Sequence, residues 1–185
     1  MTAARTLFSL AFLLMALGTP SFAQNGSSQA DASCDAQTDA DWPEGITARG
    51  TVTGPCRTAD IMLTLTSPTG AIIWKETYSS TYLFEFNSAT NAVEMQATLD
   101  RWLDDYARTR TTGTLPDWPL DADSPYGSEY PFFVDVGVTR ETYIARRQAD
   151  RPMVCYPAGM ESARCLIIAP EGASVDTVGV QSFPG

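Results

Sequence analysis

The 185-residue chain contains no histidine and a single lysine, Lys75. Without imidazole there is no base for a Ser-His or Cys-His nucleophile and no zinc site built on histidine. A Ser-Lys dyad would need Lys75 desolvated beside a serine. Lys75 instead falls in a strand-like run on the face it shares with Thr77, where a carboxylate such as Glu85 could face it across strands. A glycine-rich phosphate loop is also missing, and "DTVG" (176–179) is not the Asp-Thr-Gly of an aspartic protease. Basic residues are scarce: 12 Lys and Arg stand against 22 Asp and Glu, a net charge of −10. A field of that sign disfavours nucleic acid and anionic membrane surfaces as partners, and it serves solubility. No internal repeat is visible, and no run after the first twenty residues is long and apolar enough for a membrane-crossing helix.

The beginning of the chain has the parts of a secretory signal peptide. Arg5 supplies the positive end, Leu7 to Leu17 are apolar apart from Ser9, and Ser21-Phe22-Ala23 places small residues at −3 and −1 of a cleavage site. The expectation is cleavage after Ala23 and a periplasmic or secreted product. Residues 24–33, "QNGSSQADAS", are small and polar and read as a disordered leader. Residues 34–185 then form a single globular domain. In that setting the four cysteines read as two disulfides, and proximity in sequence pairs Cys34 with Cys56 and Cys155 with Cys165. Each would contribute about 3 kcal/mol in the chain-entropy model.

Alternation predicts strands in "ITARGTV" (47–53), "DIMLTLT" (60–66), "AIIWKETY" (71–78) and "TYLFEF" (81–86), with a tight turn at "SPTG". The period then changes. Ala92, Met95, Leu99, Trp102, Leu103 and Tyr106 recur at helical spacing, and Asn91 with Glu94 resembles a capping box. This helix should cover the apolar face of the meander, burying Trp74 and Trp102 together. Further strands are expected in "FFVDVGV" (132–138), "MVCYP", "CLIIAP" and "SVDTVGV" (174–180), with a short helix over 139–150. The class is α+β: an antiparallel sheet of about five to seven strands, one long amphipathic helix on one face, a shorter second helix, and two disulfides.

The proline-rich connection "PDWPLDADSPYGSEYPFF" (116–133) is the candidate functional segment, because so long a loop in a compact domain is seldom idle. Trp118, Tyr126 and Tyr130 are side chains of the kind that dominate interfaces, so they are the expected partner-binding residues. Asp117, Asp121, Asp123, Glu129 and Asp135 could instead supply an acid/base pair, if one of them were buried beside an aromatic. Asp121 and Asp123 begin with the spacing of a calcium loop, with Glu129 as a third ligand, but Pro125 and Tyr126 break the pattern. A late set of arginines, Arg140, Arg146, Arg147, Arg151 and Arg164, could grip a carboxylate or phosphate. Taken together, the residues point to an exported non-catalytic domain that binds a protein or envelope ligand and requires no cofactor. A carboxylate-dependent hydrolase of envelope polymers and a calcium-stabilised structural module are the alternatives.

Overall fold

The computed structural model describes residues 33–183, so the expected signal peptide and all but the last residue of the expected leader lie outside the described residues. The first sheet is an antiparallel meander of β1 (Ala36–Trp42), β2 (Ile46–Thr53), β3 (Asp60–Thr66) and β4 (Ile72–Ser79), in that order. Ile61, Leu63 and Leu65 point inward as their alternation requires, beside Ile46, Ala48 and Val52 of β2. The "SPTG" turn forms as read. The Gly70 amide donates to the Ser67 carbonyl at 2.9 Å, and Gly70 takes a φ of +85°, which suits glycine. The register slips between Leu65 and Thr66. The slip turns Ile72 out to solvent and leaves Trp74, Glu76 and Tyr78 on the inner face.

Three expectations fail in this half. β1, "AQTDADW", was not expected because it is an edge strand with only Ala36, Ala40 and Trp42 apolar, and with Asp39 paired outward to Arg49. "TYLFEF" is not a strand but a pair of tight turns. Glu85 has a φ of +63°, which no strand permits, and Leu83 and Phe86 plug the core while Tyr82 stays exposed. Lys75 lies opposite Thr64 and does not meet Glu85, which pairs with Arg101 instead.

Helix α1 (Ala92–Asp104) starts where its cap predicts. Asn91 accepts from the amides of Val93 and Glu94 at 3.1 and 3.0 Å, while Glu94 reaches back to the amide and hydroxyl of Thr90. Met95, Leu99, Trp102 and Leu103 are buried. The helix comes close to β2 because Gly50 has no side chain: a Cβ there would stand 2.7 Å from Leu99 Cδ1. Trp102 packs edge-on against Tyr78, Phe86 and Tyr156, and its indole donates to the Pro157 carbonyl at 2.8 Å. Trp74 is only half-buried at the margin of the same core, so Tyr78 takes the place expected for it beside Trp102.

Where one sheet was expected there are two. The second has the order β5-β7-β8-β9-β6, from β5 (Arg108–Thr111), β6 (Phe132–Val134), β7 (Pro152–Pro157), β8 (Ser162–Ile168) and β9 (Val175–Ser182). Its central strands are covered on both faces. Val154, Tyr156, Leu166 and Ile168 enter the core shared with α1 and the meander. Met153, Cys155, Cys165 and Ile167 enter a second core with Tyr143 of α2 (Arg140–Gln148). Two covered faces explain why "MVCYP" and "CLIIAP" are continuous apolar runs without alternation. Both disulfides join the expected partners, and Cys155–Cys165 links residues directly opposed on β7 and β8.

β6 is shorter than "FFVDVGV" suggested. It holds the sheet edge through contact with Gly179, where an added Cβ would collide with the Phe133 carbonyl oxygen and come within 2.7 Å of the Phe132 ring. Gly179→Ala should therefore lower stability by about 1–3 kcal/mol, the usual cost of overpacking. Urea denaturation checks this, and a loss below about 0.5 kcal/mol, the scale of a neutral surface change, would mean β6 is not seated on Gly179.

Candidate anion-binding groove

The long loop divides into a packed half and a free half. Trp118 lies edge-on against Tyr143 and donates to the Ala122 carbonyl at 2.9 Å. Tyr143 and Arg147 of α2 donate to the carbonyls of Pro116 and Leu115, and Arg140 donates to those of Trp118 and Pro119. Trp118 is therefore part of the second core. Tyr126 is 59% exposed, and its amide closes the loop by donating to the Asp117 carbonyl. Tyr130 is half-buried at the rim of a groove described below.

The acids of the loop do not gather. Asp117, Asp121, Asp123, Glu129 and Asp135 are all exposed, so none meets the condition of burial beside an aromatic. Among the described residues no three acidic or cysteine side chains converge into a metal-binding group, and Asp121, Asp123 and Glu129 are not brought together. The five late arginines do not converge on one point, although Arg146 and Arg151 line one cavity of about 340 Å³ beside α2. Arg140 and Arg147 bind loop carbonyls, Arg146 donates to the Thr177 carbonyl, and Arg147 also pairs with Asp117. These contacts fasten α2 to the loop and to the sheet.

Arg164 belongs to a polar junction between the two sheets. It pairs with Glu76 at 3.2 Å, and Glu76 accepts from the hydroxyls of Tyr78 and Tyr156 at 2.7 and 3.2 Å. The two phenols stand 2.9 Å apart. Burial, reinforced by the neighbouring acid, pushes both phenols well above the usual tyrosine range.

The groove lies on the α2-side face of the second sheet, beyond the end that α2 covers. Its floor is built from Cys155, Pro157, Ala163 and Gln181, and its walls carry the rings of Phe84, Tyr106, Tyr130 and Phe183. The cavity measures about 390 Å³. A recess of about 50 Å³ continues it past Arg110, between Leu115, Phe132 and Met153. Phe84 packs edge-on against both Tyr106 and Phe183. The left-handed Glu85 fixes this wall. Although burial works against its ionised form, the Tyr106 hydroxyl at 2.6 Å and the Arg101 guanidinium hold its carboxyl below the usual range.

Arg108 and Arg110 occupy alternate positions of β5 and so share one face, opposite Cys155 and Met153 of β7. Both line the groove and both are exposed. Among the described residues neither guanidinium forms an ion pair or hydrogen bond, although acids outnumber bases in the chain. Glu85, which anchors the wall of the groove, is already taken by Arg101 and Tyr106. The result is two uncompensated cations over an aromatic-walled cleft. A sequence signal existed in the alternating "RTRT" at 108–111, directly after the α1 stripe. No family model, curated protein or solved structure matches this chain.

Proposed function

We propose that the chain is an exported, non-catalytic binding domain that seats an anionic ligand in the Arg108–Arg110 groove. The observation that carries this reading is the pair of unpaired guanidinium groups on one strand face beside an aromatic cleft. Guanidinium forks bind carboxylate or phosphate oxygens in pairs, and aromatic walls take an apolar portion of the same ligand. Tyr130 contributes to the rim, which joins part of the long loop to the site. Export rests on the signal-like start of the sequence, and two disulfides suit an oxidising compartment.

Arg108→Gln/Arg110→Gln should leave stability within about 0.5 kcal/mol per site, as for ordinary surface changes. The immobilised wild-type domain should retain a component of an envelope extract at physiological salt and release it as salt rises. The folded double variant should fail to retain it. Equal retention by both would place the binding surface elsewhere.

A further inference from the structure

We propose that the ligand is an acidic stretch of polypeptide that adds to the free edge of β5 as a further strand, with acids at alternate positions facing Arg108 and Arg110. This rests on the groove being an anion seat and names its occupant. β5 is an outermost strand of its sheet and is paired only with β7. Arg108, Thr109 and Arg110 are all exposed, and among the described residues no backbone hydrogen bond joins them to anything but that partner. An open edge of this kind is a template for strand addition, in which main-chain bonds give affinity and alternate side chains give specificity.

The spacing argues for a peptide over a compact anion. Alternate side chains on any strand repeat every ~6.7 Å, so an added strand with acids two residues apart meets both arginines in register. A single small carboxylate would engage one fork and leave the other unused. The aromatic chamber beside Arg108 can take an apolar residue flanking the acids. The acidic surface elsewhere does not forbid the approach, because exposed charges beyond about 8 Å are largely screened at physiological ionic strength.

Fluorescence anisotropy with short labelled peptides tests this on the full exported domain. One peptide carries glutamates at alternate positions, and a second has the same composition with the glutamates in one block. A third is the alternating peptide with N-methyl groups on the amides of one edge, prepared for each edge in turn. The alternating peptide should bind at least tenfold more tightly than the block peptide and than one of the two methylated forms. Each of Arg108→Gln and Arg110→Gln should cost about tenfold, as for a lost charged hydrogen bond. Equal binding of alternating and block peptides would overturn strand addition in favour of charge alone. Binding of polygalacturonate in place of every peptide would assign the seat to acidic polysaccharide. If no peptide binds while the double variant still loses the extract component, the peptide is refuted and the groove stands. If the double variant retains that component as well, both readings fall.

Discussion

Trp102→Ala should lower the unfolding free energy by about 3–5 kcal/mol, the usual cost of truncating a large buried aromatic. Trp102 is 1% exposed and is the point where α1 meets both sheets. Its ring touches Tyr78 of β4, Tyr156 of β7 and Phe86 in the turn before the helix. Truncation opens a cavity among all three and removes the donor to the Pro157 carbonyl. Trp102→Phe separates the two effects, since it keeps a ring but leaves that carbonyl without its donor, a loss of about 1–3 kcal/mol. Urea denaturation followed by circular dichroism reads both variants. A loss below about 1 kcal/mol for the alanine variant, well short of a core truncation, would mean that α1 does not dock through Trp102.

Alkaline pH should unfold this protein through Tyr78 and Tyr156. Burial raises both phenols in the folded state and Glu76 adds to it, while their mutual hydrogen bond raises Tyr78 and partly offsets the rise at Tyr156. In the unfolded chain a tyrosine titrates near 10. A group whose folded pKa is raised holds its proton more tightly when folded. Its stabilising contribution is therefore complete below about pH 10 and is lost as pH climbs towards the folded value. Each such phenol costs about 1.4 kcal/mol per pH unit in that window, so the pair costs about 2.7 kcal/mol per unit. Denaturation midpoints at a series of pH values from about 8 to 11.5 would show stability flat at first and then falling steeply. Burial raises Tyr143 in the same window, so three phenols share the slope and Tyr156→Phe should remove about a third of it. Because all four cysteines are paired, thiol ionisation does not obscure the measurement. A slope unchanged by Tyr156→Phe would contradict the buried junction.

The sequence was most legible where one physical cause acts alone. β3 alternates because one of its faces is buried, α1 repeats at 3.6 residues because it rests on that face, and Asn91 marks the helix start through its own side chain. Legibility failed where two causes overlap. β7 and β8 are buried on both faces, so their apolar runs gave no hint that they form the centre of a second sheet. "TYLFEF" alternates, yet Glu85 is drawn into a left-handed turn by Tyr106 and Arg101, partners some twenty residues away that no local pattern reveals. The site was only half legible. Tyr130 lay within the expected loop, but Trp118 was claimed by Tyr143, Arg140, Arg146 and Arg147 by loop and sheet carbonyls, and Arg164 by Glu76. Arg108 and Arg110 become conspicuous only in space, where two guanidinium groups without ion pairs share one strand face beside an aromatic cleft.

The seat of the ligand is tested most directly by an NMR titration of the isotope-labelled domain with phenyl phosphate, a probe carrying one ring and one dianion. Shifts should concentrate at residues 84, 106–110, 130, 155–157, 163 and 181–183, around the walls and floor of the groove. They should vanish in Arg108→Gln/Arg110→Gln. Shifts confined to residues 120–127, or identical in the double variant, would contradict the account.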